Sequence, residues 1–232
     1  MKKLSITAYL VAICFLIMAP VAQAYNITTG TIKLDTNSYS ALPGGEFTAT
    51  PSTDLAWLLN NYDVKTKVGG GFETFCIEYN EHFNLGGTYN ASISDRAMNG
   101  GVLPAGTGDP VSIGTAFLYS QFAQGILGGY NYGTGRITTA GQLQLAFWWL
   151  EDENAVAYDA ANPFMKMVHD LFATPRVDAN GAYGVSVLNL TIIGGGLAQD
   201  QLAYNPVPEP ATLLLLGLGL LGVAGIRRRF KK

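Results

Sequence analysis

Uncharged apolar runs near both ends of this 232-residue chain fence off what can fold as a water-facing body. At the C-terminal end, Ala211 to Ile226 carries no charge and is closed by Arg227-Arg228-Arg229-Phe230-Lys231-Lys232. At about 1.5 Å per residue this run extends roughly 24 Å as a helix. A bilayer asks for ~20 apolar residues. Adding Val207 to Pro210 at one end, and arginines that snorkel at the other, completes a span. The basic block favours a cytoplasmic C-terminus. Gly217, Gly219, Gly222 and Gly225 suit a membrane helix better than a core helix. At the other end, Lys2-Lys3, the apolar stretch Leu10 to Ala19 and Ala22-Gln23-Ala24 read as a signal peptide over 1–24, with Tyr25 first in the mature chain. Cys14 lies inside that apolar stretch behind Val11-Ala12-Ile13, a poor lipidation signal.

Val207-Pro208-Glu209-Pro210, the apolar span and the basic end together resemble the PEP-CTERM sorting signal of Gram-negative bacteria. The resemblance covers 26 residues. It implies processing by an exosortase, a membrane peptidase, near the motif. The chain would be held at the inner membrane by its tail, then passed to the cell surface or an extracellular polysaccharide matrix.

Between the ends lies a body of 182 residues, 25–206, enough for one domain with a sizeable core. It holds seven basic and sixteen acidic residues, a net charge of −9. That balance argues against nucleic acid and anionic membrane surfaces as partners. It is compatible with a neutral glycan or an amine-bearing partner. Cys76 is the only cysteine of the body. An exported protein normally pairs its cysteines, so a single one stands out.

Alternation of apolar and polar residues predicts strands over Gly30–Leu34, Gly45–Thr50 and Gly71–Tyr79. On the last, Phe75 and Ile77 share the more apolar face, and Cys76 is expected to point away from the main core. Residues 84–114 read as a Gly-rich loop, with a helical turn over Ser92–Met98. Helices are predicted over Ser112–Gln124 and Thr139–Glu151, the latter from Leu143, Ala146, Phe147 and Leu150. A third starts with Asn162 as N-cap and Pro163 in the first position, and stops at Pro175. Ala182–Ile193 reads as a last strand, with Gln199-Asp200-Gln201-Leu202 as its polar edge. The class is α+β: a β-rich N-terminal part, a helical middle, a final β-strand, and one C-terminal membrane helix.

Thr74-Phe75-Cys76-Ile77-Glu78 and Leu143-Gln144-Leu145-Ala146-Phe147-Trp148 resemble the paired motifs of bacterial thioester domains, known from surface adhesins. The resemblance covers roughly Phe72 to Leu150. It implies that the Cys76 thiol and the Gln144 carboxamide condense with loss of ammonia, and that the thioester captures an amine on a target surface. Holding the two groups together supplies effective molarity worth up to about 7–11 kcal/mol. A helix N-terminus near Gln144 is expected to stabilise the oxyanion. Phe75, Trp148 and Trp149 are expected to exclude water. The plainer alternative is an inert buried thiol and a polar helix residue.

The remaining signals are weaker. His82 and His169 have acidic neighbours, but no spacing forces them together, so no metal and no cofactor is expected. Glu151-Asp152-Glu153 reads as a solvated face. The Tyr/Asn/Gly stretch Gly128–Gly133 reads as an exposed loop, either a turn or a sugar-stacking platform. No acid/base constellation is evident, so the chain is not expected to be an enzyme. The expected role is adhesion or matrix attachment, covalent through Cys76 and Gln144. The alternative is a non-covalent structural protein associated with exopolysaccharide.

Overall fold

The computed structural model describes residues 28–41, 44–98, 108–153 and 156–206. All belong to one compact unit, Ile27–Val207. The signal peptide over 1–24 and the tail over 207–232 lie outside the described residues, with Val207, Pro208, Glu209, Pro210, Arg227, Arg228 and Arg229. Among the described residues no helix is long and apolar enough to cross a membrane.

The fold is mixed. β1 (Thr29–Thr36), β2 (Phe47–Pro51), β3 (Lys67–Val68), β4 (Gly71–Thr74) and β5 (Thr88–Ser94) come first, followed by the short pair β6 (Arg96–Ala97) and β7 (Asp109–Pro110). Three α-helices follow, α1 (Ile113–Ala123), α2 (Arg136–Leu150) and α3 (Pro163–Leu171), then β8 (Val185–Ile192) and β9 (Leu197–Tyr204). Seven strands form an antiparallel sheet in the order β3-β4-β2-β1-β5-β8-β9.

The two flanks of this sheet meet. Beyond Thr74 the chain stays extended and Cys76 bridges antiparallel to Gln201 of β9. Leu202 N–H donates to the Phe75 carbonyl at 3.1 Å, and Ile77 N–H to the Asp200 carbonyl at 3.2 Å. Thr74 Oγ1 donates to the Leu202 carbonyl at 2.6 Å. The Tyr119 hydroxyl of α1 lies 3.0 Å from the carbonyl oxygens of both Glu73 and Leu202, across the seam. β4, β2, β1, β5, β8 and β9 thus form a closed antiparallel ring, which leaves few strand edges free.

Phe75 points from the seam into the helices. Its ring lies edge-on to Phe122 at 5.0 Å and to Phe147 at 5.3 Å. Such pairs add about 0.5–1.5 kcal/mol each beyond area burial. α2 docks through one stripe, Arg136, Ala140, Leu143, Gln144 and Phe147, all buried. Arg136 closes its near end. Its guanidinium forms a forked pair with Glu46, donating from Nε at 2.8 Å and also from Nη2. Both residues are buried, and Tyr130 donates to the same carboxylate at 2.7 Å.

Several expectations need correction. Residues 88–94 are strand β5, not loop, and 96–97 are strand β6, so there is no helical turn over Ser92–Met98. Tyr89 and Ala91 face inward in alternation with Asn90 and Ser92, a pattern hidden by the small Ala and the glycines around it. The end of the chain body holds two strands, not one. β9 is buried along nearly its whole length despite its Gln-Asp-Gln centre. α2 starts at Arg136, three residues early, because Arg136 finds a buried partner. α3 ends at Leu171, ahead of Pro175. A 3-10 stretch at Thr53–Asn61 had no sequence signal strong enough to read. The cap of α3 follows the sequence, Asn162 Oδ1 accepting from Phe164 and Met165 N–H, and α1 is capped by Ser112, whose Oγ accepts from Thr115 N–H.

Arg136→Met should cost about 3–5 kcal/mol, because it strands the buried Glu46 charge. Adding Glu46→Met should recover much of that loss. Denaturant unfolding of the single and double variants checks both.

Candidate functional site

Cys76 and Gln144 meet where the ring and α2 touch. Cys76 is 2% exposed and Gln144 1%. The reason lies in strand geometry. Alternate residues of an extended chain direct their N–H and C=O groups to opposite edges. Phe75 and Ile77 bond to β9, so the polar groups of Cys76 face the β2 side. There β2 has already begun at Phe47, opposite Thr74. The chain before it turns away at Gly44–Gly45, with Gly45 at φ 148°. Gln144 fills the gap. Its Oε1 accepts from Cys76 N–H at 3.1 Å, and its Nε2 donates to the Cys76 carbonyl at 2.7 Å. A side-chain carboxamide here takes the place of a missing strand. Gly44 is needed beside it, since a Cβ there would lie 2.7 Å from the Trp148 ring and 3.0 Å from Gln144 Cγ.

The thiol faces β9. Sγ–H donates to Gln199 Oε1 at 3.1 Å, and Gln201 Nε2 donates to Sγ at 3.5 Å. Gln199 Nε2 in turn donates to the Glu78 carbonyl at 2.5 Å. Cys76 does point away from the aromatic core, as expected, but its face is buried as well. Burial pushes its thiol up to about 12, and the charge of nearby Glu78 adds to the rise. Of the aromatics expected to exclude water, all are buried, but Phe75 faces the helices and Trp149 packs on Tyr158; Trp148 packs against Gly44 beside Gln144.

The expected oxyanion donor is different. Gln144 sits in the middle of α2, two turns past its start, so no free N–H of the helix terminus reaches it. The N–H on Oε1 belongs to Cys76 itself. In the sequence Gln199 and Gln201 read only as a polar strand edge. Their alternation on a strand opposite a cysteine was the signal available, and it needs the pairing register to be read.

Acidic side chains gather beside this pair. Glu78 is buried, and its Oε2 lies 3.4 Å from the Asp200 N–H. Burial first, then the charges of Asp200, Glu81 and Glu153, push the Glu78 carboxyl up to about 9. Glu153 accepts from Tyr79 N–H at 3.1 Å. Glu151 accepts from Ser112 N–H at 3.2 Å and Ser112 Oγ at 2.8 Å, and burial pushes it up to about 7. Glu151 and Glu153 are therefore interior residues, not the solvated face expected, and only Asp152 of the three is exposed. Among the described residues four buried side-chain polar atoms lack a hydrogen-bond partner: Glu78 Oε1, Glu81 Oε2, Trp148 Nε1 and Gln201 Oε1. Glu78 and Glu81 follow Cys76 in the chain, Trp148 lies one turn past Gln144 on α2, and Gln201 is the bridge partner of Cys76 on β9.

His82 and His169 are both exposed. Among the described residues no group of three His, Cys, Asp or Glu side chains could hold a metal ion. The Gly128–Gly133 stretch is not an exposed aromatic platform. Tyr130 is buried on Glu46, and the Tyr132 hydroxyl donates to the Phe122 carbonyl at 3.1 Å.

Raised carboxyl values set the pH dependence. Glu78 (about 9), Glu73 (about 8) and Glu151 (about 7) all bind protons more tightly folded than at the ordinary 4.5. Their contribution to stability is fully present below about 4.5 and is lost as pH rises through these folded values. Thermal melts from about pH 5 to about pH 9 should show stability falling toward the alkaline side. Glu78→Gln should flatten the upper part of that fall.

Residues 206–229 match the PEP-CTERM protein-sorting motif. The motif marks the chain as an exported surface protein sorted by an exosortase, with a membrane-associated C-terminal tail. No curated protein and no solved structure matches the chain.

Proposed function

We propose that the body attaches the exported protein to a surface or matrix through an internal thioester between Cys76 and Gln144. The observation that carries this reading is the buried double hydrogen bond between the Gln144 carboxamide and the Cys76 backbone. It holds the acyl carbon beside the cysteine without help from solvent. Condensation breaks the Sγ–H bond of Cys76 and the Cδ–Nε2 bond of Gln144, forms Sγ–Cδ, and sends the thiol proton out on ammonia. A primary amine on a target then forms N–Cδ, breaks Cδ–Sγ and returns a proton to sulfur. The amine belongs to a surface or to an extracellular polysaccharide that carries amino groups.

One observation favours a second reading. The thiol is hydrogen-bonded to Gln199 and Gln201, and burial holds it protonated. On that reading Gln144 is only a lock between α2 and the ring, and the body is a non-covalent structural component of an exopolysaccharide matrix.

Intact mass of the purified protein separates the two. The thioester reading expects a chain one ammonia lighter than its sequence, which gains one methylamine on incubation with that amine. Cys76→Ala and Gln144→Glu should each show the plain mass and take up no methylamine. A wild-type chain at plain mass, with one thiol that titrates on denaturation, would rule the bond out in favour of the lock.

A further inference from the structure

β9 offers two carboxamides to the Cys76 sulfur, and they act in opposite senses. The bridge between Cys76 and Gln201 is flanked on both sides by backbone hydrogen bonds, so the two side chains stand side by side on one face. Gln199, two residues back along β9, shares that face. Gln199 Oε1 accepts the thiol proton at 3.1 Å, which favours the neutral thiol. Gln201 Nε2 approaches Sγ as a donor at 3.5 Å, which favours the thiolate, and is held there by a second bond to the Gln199 carbonyl at 3.2 Å. The carbonyl oxygen of the same Gln201 side chain is buried without a partner. It is an acceptor left open beside the sulfur.

We propose that Gln199 and Gln201 set the reactive state of the Cys76 sulfur: Gln199 restrains the thiol, and Gln201 is a catalytic residue that stabilises negative charge on sulfur. The charge arises twice in acyl transfer, when sulfur attacks Gln144 Cδ and when it leaves on attack by an amine. The open Gln201 Oε1 receives an N–H of the departing ammonia or the arriving amine. Only this acyl-transfer role rests on the Cys76–Gln144 reading; the effect on the thiol does not.

The test uses the full chain carrying Gln144→Glu, which removes the Gln144 carboxamide as acyl donor. Alkylation of Cys76 by iodoacetamide is followed against pH. Gln201→Met removes the donor at nearly constant volume and should slow alkylation about tenfold at a given pH, the scale of a hydrogen bond to a charged group. Gln199→Met removes the acceptor and should speed it. Simple loosening of the fold speeds both, so acceleration in both variants, or no change in either, overturns the proposal. Where a Met variant lacks a cooperative thermal transition, Gln201→Asn and Gln199→Asn, which draw the amide back by one methylene, are read by the same signs. With Gln144 restored, Gln201→Met should slow the loss of ammonia seen by intact mass. A wild-type chain that never loses ammonia ends the thioester reading, while the alkylation signs still decide the roles of Gln199 and Gln201.

Discussion

The contact on which the architecture turns is the pairing of a side-chain amide with a main-chain amide, Gln144 with Cys76. The ring closes only because the chain leaves the β2 register after Thr74 and crosses to β9. That crossing turns the N–H and C=O of Cys76 toward a place where no strand runs. A buried main-chain pair left open there would cost about 1–3 kcal/mol per group. Gln144 removes the cost with one side chain. Its position on α2 is fixed in turn by the aromatic packing of Phe147 on Phe75 and, two turns earlier, by the fork of Arg136 on Glu46. Ring closure, helix docking and the environment of the thiol are consequences of one geometric gap.

The interior around that gap is unusually polar. Glu46, Glu73, Glu78, Glu151, Glu153 and Asp200 are all buried. Arg136 is the cation that answers Glu46, and it lies two turns before Gln144, at the start of α2. Near Cys76, Glu78 and Glu153 have backbone N–H groups as hydrogen-bond donors. Burial and the charges of neighbouring carboxyls favour the protonated form of Glu78. The negative charge of the body is thus partly a property of the sequence and not of the folded state near neutral pH. An argument from formal charge to the choice of partner overstates the field at the site itself.

Much of the helical middle was legible because its signals are local. Asn162 caps its helix, Pro163 follows the cap, and the stripe of α2 recurs at the helical period. The pair Cys76 and Gln144 was legible through a resemblance of motifs, and the structure does bring the two residues into contact. The strands that were missed lack local signals. β5 carries a small alanine at an inward position, and β9 carries Gln199, Asp200 and Gln201, which look like an exposed edge. Their burial depends on partners far along the chain, Cys76 for Gln201 and Asn189 for Asp200, whose side chain accepts from Asn189 Nδ2 at 2.9 Å. Likewise Glu151 and Glu153 look solvated until Ser112 and the Tyr79 N–H supply their donors.

The dual role of Gln144 places the structural lock and the proposed chemistry in tension, and the tension has a direction. Before condensation the carboxamide satisfies both polar groups of Cys76. Condensation expels Nε2 and leaves the Cys76 carbonyl without its 2.7 Å donor, while the thioester oxygen can still accept from the Cys76 N–H. The thioester is therefore the least satisfied state of the site, short of one buried hydrogen bond worth about 1–3 kcal/mol. Capture of a primary amine rebuilds an amide at the same carbon, and its N–H can return to the Cys76 carbonyl. On this scheme the fold favours the states before and after coupling over the reactive state between them. The same lock that joins α2 to the ring would then help to drive the attachment forward.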